Sequence, residues 1–185
     1  MQKGALTLWR KALAALFVAV GVIGAPLAGS EFARAGGGGC ALVQSERVPS
    51  EKILRCGQTL SVQPAEGTRY RLLYKAGQRI PAGAELNDGA LLIEFHPTEQ
   101  QKDFQILTPL AIAAVRGTRW AMEVSRARTS TLVLDGAVAV TNRRLNQYVI
   151  LTEGQGVDIS ATDTSVVQKQ WGQARIRALL ARFGE

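Results

Sequence analysis

Residues 108–120 read TPLAIAAVRGTRW: a run of small and aliphatic residues halts at Arg116-Gly117-Thr118, and an aromatic, Trp120, follows after Arg119. Within the run, Leu110, Ile112 and Ala114 alternate with Ala111, Ala113 and Val115, the period of a strand. Pro109 fixes φ and lacks a ladder donor, so it belongs at a strand start or edge. Gly117 reads as a left-handed residue dividing this strand from the next. Continuing the even phase sends Arg116 to the side of Leu110 and Ile112. A guanidinium near a core face needs carbonyl or carboxylate acceptors. Arg116 is therefore expected to clamp neighbouring loop carbonyls or an acid; contact with a ligand anion or a partner is the competing reading.

The same punctuation recurs outward from this stretch. Short runs rich in Val, Ile, Leu, Thr and aromatics predict strands at 59–62, 70–74, 90–95, 104–107, 111–115, 119–124, 130–134, 137–141, 148–152 and 156–159. Gly-Gln recurs at Gly57-Gln58, Gly77-Gln78 and Gly154-Gln155. Glycines dividing two short strands fall at Gly117, Gly136 and Gly154, spaced 19 and then 18 residues apart. A repeated strand–Gly–strand unit of about twenty residues fits a β-solenoid or compact roll, and an ordinary β-sandwich gives similar spacing. Asp135-Gly136 and Asn87-Asp88-Gly89 are turn formers. The β domain is expected over residues 40–161.

The end of the chain differs. Residues 162–185 predict a C-terminal amphipathic helix, with Val167, Trp171, Ala174, Ala178, Leu179 and Phe183 on one side. Ser165 and Gln168 have capping-box spacing. Lys169, Arg175, Arg177 and Arg182 make the opposite face basic. Such a helix covers an exposed sheet edge or solenoid end, or else offers a partner surface through Trp171, Arg175 and Arg182.

The start of the chain reads as an export signal over residues 1–35. Lys3, Arg10 and Lys11 precede an uncharged stretch from Ala12 to Ser30, and Ala33-Arg34-Ala35 supplies a small-residue cleavage site. An uncleaved anchor is the alternative, although the glycines and Pro26 make a poor spanning helix. A Gly-rich leader, 36–39, follows. The net charge is +7 overall; residues 1–35 hold four basic residues and one acid, so the remainder carries +4. That mild excess is no nucleic-acid signature. In an exported chain Cys40 and Cys56 read as one disulfide, stabilising by about 3 kcal/mol. Lipidation of Cys40 is the alternative, and the three glycines before it do not resemble a lipobox.

No catalytic constellation emerges. His96 is the only histidine, sits beside Pro97, and reads as a turn residue. Two thiols and one distant imidazole do not make a tetrahedral metal site. There is no nucleophile elbow, phosphate loop or H-E-x-x-H. No enzyme activity and no cofactor are expected.

Three ordered segments carry a family resemblance. They are Thr108-Pro109 with Val115-Arg116-Gly117-Thr118, then Leu132-Val133-Leu134-Asp135-Gly136 with Val138 and Val140, then Val149-Ile150-Leu151 with Glu153-Gly154-Gln155. Together they resemble the core of the FecR domain, most closely from Phe104 to Ile159. The resemblance implies an all-β extracytoplasmic domain, built as a short β-solenoid or two-stranded β-helix-like roll, with a binding or signalling role and no catalysis. Its founding members regulate iron uptake through a cytoplasmic anti-sigma region, a single membrane span and a periplasmic signal from an outer-membrane transporter. Here only eleven residues precede the apolar segment and about 26 follow Ile159. The anti-sigma region and the transporter-contacting lobe are therefore not expected. What is expected is a stand-alone periplasmic or secreted domain with an unidentified protein partner. An envelope polysaccharide is a second partner class, and the membrane enters only if the first segment stays attached.

Overall fold

A computed structural model describes residues 39–45, 47 and 52–185. The expected signal helix, 1–35, and the leader residues 36–38 lie outside the described residues. The β domain forms two sheets that share one long strand. Sheet I has the order β1 (Cys40–Gln44), β2 (Lys52–Cys56), β3 (Leu60–Pro64), β5 (Gly83–Phe95), β8 (Thr118–Ser125), β9 (Arg128–Asp135), β12 (Gln155–Ser160) and β13 (Lys169–Gln170). Sheet II runs β4 (Arg69–Leu73), β5, β6 (Phe104–Leu107), β7 (Ala111–Val115), β10 (Ala137–Asn142) and β11 (Gln147–Thr152). The first part of β5 pairs with β4 and β6 in sheet II, and its second part pairs with β3 and β8 in sheet I. The bend lies at Gly89, whose φ is +91°.

Three further strands are bent in the same way. β7 passes through Gly117 into β8, β9 through Gly136 into β10, and β11 through Gly154 into β12. All three glycines have positive φ, +76°, +82° and +74°. These bent strands lie side by side, pairing β7–β10–β11 in sheet II and β8–β9–β12 in sheet I. The result is a curled, half-barrel meander, and the spacing of 19 and 18 residues is the length of one bent strand plus its hairpin. This departs from the expected solenoid: every pairing is antiparallel except β5 with β6. The reason is the hairpins after Ser125 and Asn142, which reverse the chain at each return, whereas solenoid coils need successive rungs in one direction.

Alternation along the strands fills the space between the sheets. Leu91, Ile93, Phe95, Trp120, Met122 and Val133 project from sheet I to meet Phe104, Ile106, Val115, Val138, Val140 and Leu151 from sheet II. The rings of Phe95 and Phe104 lie 6.0 Å apart. In β7 the odd phase, Ala111, Ala113 and Val115, is the buried one, and Ile112 and Ala114 face outward.

A second apolar cluster covers the outer face of sheet I, where Ala90, Leu92, Ala121 and Leu132 lie beneath Trp171, Leu179 and Phe183. The covering helix α1 spans Gln173–Leu180 and continues as a 3₁₀ turn, Ala181–Phe183. It is shorter than the expected 162–185, begins at Gly172 without a side-chain cap, and lies over a sheet face rather than an edge. Its packed stripe is Ile176, Leu179, Leu180 and Phe183; Ala174 and Ala178 are exposed. Ser165 and Gln168 precede any helix, because the chain between Ser160 and Trp171 is mostly irregular and adds β13 instead. Trp171 lies directly on Gly156: a Cβ there would sit 2.3 Å from the indole and 2.7 Å from the Thr131 carbonyl oxygen.

Two glycine substitutions test this architecture. Gly136→Ala forces a Cβ to 2.6 Å from the Gly117 carbonyl oxygen, whereas at Gly117 the nearest atom is a Pro97 ring carbon at 3.2 Å. Both incur the cost of positive φ, about 1–3 kcal/mol, so Gly136→Ala should lower stability more than Gly117→Ala in denaturant titrations. An equal or reversed order would contradict the nested corners. Gly156→Ala should unseat Trp171 and speed tryptic cleavage at Arg175 and Arg177, while unchanged protection would show that α1 is held without that contact.

Candidate functional site

The motif residues quoted for the family resemblance gather at turns and corners. Thr108 and Pro109 form the β6–β7 turn: the Thr108 hydroxyl donates to the Ala111 carbonyl oxygen at 3.0 Å and accepts from the Ala111 amide at 2.9 Å. The Arg143 Nη1 donates to the Thr108 carbonyl oxygen at 2.9 Å, binding this turn to the neighbouring hairpin. Arg143 thus does the clamping expected of Arg116. Arg116 itself is exposed at the corner, with no hydrogen bond or ion pair among the described residues. Arg116 faces outward, not toward the core as its phase suggested, because the even phase of β7 is the outward one. Thr118 is buried beside the corner, Gly136 and Gly154 make the next bends, and the Gln155 Oε1 accepts from the Thr152 amide at 3.0 Å. Asp135 is exposed at the end of β9.

Cys40 and Cys56 form a disulfide across directly opposed positions of β1 and β2. Such bonds persist in oxidising compartments. His96 is exposed and its Nε2 lies 3.1 Å from Glu94 Oε1, a neighbour the sequence reading did not single out. These two residues border a cleft of about 600 Å³ lined otherwise by hydroxyl, amide and apolar groups with Arg55. Among the described residues, no group of three or more His, Cys, Asp or Glu side chains is placed to hold a metal ion, and no helix is long and apolar enough to cross a membrane.

The residues expected as a partner surface are used inside the chain. Trp171 is buried; the Arg175 guanidinium stacks 3.5 Å from its ring centre and pairs with Asp158. Arg182 pairs with Glu123 on β8. These contacts fasten α1 to sheet I, so this face is closed.

The outer face of sheet II is open. Its cross-strand rows run Ala114–Ala139–Ile150 and Ile112–Thr141–Tyr148. Tyr148 and Ile150 are 67% and 56% exposed, among the most exposed large apolar residues described. Their strand, β11, ends the sheet and pairs only with β10. The small side chains of Ala114 and Ala139 leave the middle of the face flat, a shape suited to another protein surface.

Asp158 controls the closed face electrostatically. Burial raises its pKa, but hydrogen bonds from Arg175 and Ser130, with the charges of Arg175 and Arg128, outweigh that and lower it from 3.8. A carboxyl depressed in the folded state stabilises above its ordinary value, and the gain is lost as pH falls through the folded value. Asp158→Asn should therefore lower the melting temperature near neutral pH, and the gap from the parent should close well below pH 3.8. A gap that persists in acid would show that the pairing contributes nothing.

Comparison with known proteins agrees with this architecture. Residues 58–139 match the family model described as FecR protein. Two crystal structures of a candidate anti-sigma factor from Parabacteroides distasonis are similar, each with TM-score 0.57 and 17% identity. The matches cover 70% and 76% of this chain, and it spans 60% and 63% of those chains. At that identity the likeness shows the fold. No curated protein matches the chain at a significant level. The resemblance carried by the ordered motif segments is thereby shown: this chain carries a FecR-type segment over residues 58–139, which includes Thr108–Thr118 and Leu132–Val138 and ends before Val149–Gln155.

Proposed function

We propose that this chain is a non-catalytic, extracytoplasmic binding module that acts by protein–protein contact in the bacterial periplasm or envelope, as part of envelope signalling. The observation that carries the proposal is the asymmetry of the two outer faces. Sheet I is covered by the chain's own Trp171–Phe183 segment, whereas sheet II presents Ile112, Ala114, Ala139, Tyr148 and Ile150 without a cover among the described residues. Apolar, flat and lacking concentrated charge, that face fits a protein better than a polysaccharide, which needs a dense array of hydrogen-bonding groups. The FecR match and the anti-sigma description of the structural neighbours support a regulatory setting, and the Cys40–Cys56 bond supports an oxidising one.

The test is site-specific photo-crosslinking in cells. A photoreactive residue at Ala114, in the middle of the open face, should give a covalent adduct with another protein, while one at Gln173 on the outward side of α1 should not. Absence of any adduct from Ala114, with the variant exported and folded, would contradict the reading.

A further inference from the structure

The face of sheet II ends in β11, and this edge has a chemistry of its own. An edge strand presents a row of unpaired backbone amides and carbonyls, which natural sheets protect with charge, brevity or a cover. At the opposite edge of sheet II, β4 carries Arg69 and Arg71, paired with Asp88 and Glu85. On sheet I, β12 is capped by β13, and β1 offers one large exposed side chain, Leu42. β11 has little of this protection: among the described residues, side-chain cover reaches only its last amide, Thr152, which donates to the Gln155 Oε1. Its six residues, Gln147 to Thr152, are uncharged and mostly aromatic, branched or apolar. No backbone hydrogen bond joins it to any described segment other than β10. A row of this kind is satisfied by one ligand class, another extended strand.

The charges at the two ends of β11 say which strand. At its start the hairpin carries Arg143 and Arg144; just past its end stands Glu153. Arg144 donates to the Asp163 carbonyl oxygen and its charge also acts on the Asp163 carboxylate, whereas Glu153 makes no ion pair among the described residues. A second copy of β11 laid antiparallel brings the acidic end of each strand beside the basic end of the other.

We infer that β11 pairs antiparallel with β11 of a second copy of this chain, continuing sheet II across a two-fold axis. Centred on Val149, the pairing sets Tyr148 opposite Ile150 of the second copy on the outer face, an aromatic–branched pair of the stabilising kind. Gln147 then opposes Leu151 on the inner side, so the inward and outward alternation is preserved. Glu153 and the Arg144 of the second copy, in the turns just beyond the paired residues, then come to the same end of the ladder. By symmetry each such contact occurs twice. This pairing deepens the protein-contact reading of sheet II and rests on it.

Sedimentation of the chain as isolated from cells tests the pairing. A concentration-dependent monomer–dimer equilibrium is expected. Glu153→Arg and Arg144→Glu should each weaken it about tenfold, because each reversal sets like charges together at two symmetric sites. The double variant, with the charges exchanged, should return to within about threefold of the parent, the scatter of coupled charge pairs. Ile150→Lys, which adds an outward charge to the same edge, should give monomer with unchanged circular dichroism. A chain monomeric at every concentration, or a dimer indifferent to the single reversals, overturns the inference. If a heterologous adduct at Ala114 survives in that event, self-pairing alone has failed and the protein-contact reading stands.

Discussion

Everything in this domain depends on the chain's ability to turn a strand out of one sheet and into the other without ending it. Gly117, Gly136 and Gly154 make that turn with φ between +74° and +82°, a region a side chain enters only at a cost. Because each bent strand serves both sheets, its two halves contribute to opposite walls of one core. Ala111, Ala113 and Val115 line one wall, and Trp120, Met122 and Val124 line the other. The corners also pack on each other: the place of a missing Cβ on Gly136 is taken by the Gly117 carbonyl oxygen and the Thr118 methyl. The Arg-Gly-Thr triplet is thus a packing device, and its arginine is the part left outside.

Closing the core leaves two outer faces, and the chain treats them differently. On sheet I, Gly156 removes the side chain that would keep Trp171 from lying flat, and Asp158 two residues on holds Arg175 over the same ring. One strand, β12, therefore seats the whole C-terminal cover. Sheet II receives no such cover among the described residues, and the outward positions of β7, β10 and β11 carry small or apolar groups, while its charges gather along β4 and the start of β5. The C-terminal cover thus sits on one outer face, and the proposed protein-contact surface lies on the other.

Much of this was legible in the sequence, and the failures have physical causes. Strands at 104–107 and 111–115 were read with their observed limits, because alternation there is uninterrupted and the Thr108-Pro109 turn separates them cleanly. β5 was seen only from Ala90 onward. Asn87-Asp88-Gly89 looks like a turn locally, yet the chain uses its glycine as a bend within a continuous strand. β1 and β2 were missed because their residues are short polar–apolar mixtures whose pairing is fixed across the Cys40–Cys56 bond. At the C-terminus the spacing of Trp171, Ala174 and Ala178 suggested one helix face, but Trp171 precedes the helix and packs from a strand-like segment. The solenoid expectation failed for a subtler reason. A repeat of about twenty residues is identical for parallel coils and for antiparallel bent hairpins, and only strand direction tells them apart. Which face is open could not be read at all, since it depends on where the C-terminal segment folds back.

The central claim, one face closed by the chain itself and the other open at β11, is tested most directly by amide hydrogen exchange across a series of protein concentrations. At the lowest concentration, segment 171–183 and the central strand 130–134 should be protected, while alternate amides of 147–152 exchange quickly. Protection of 147–152 should then rise with concentration as that of 171–183 stays constant. Full protection of 147–152 at high dilution, or rapid exchange throughout 171–183, would contradict the account.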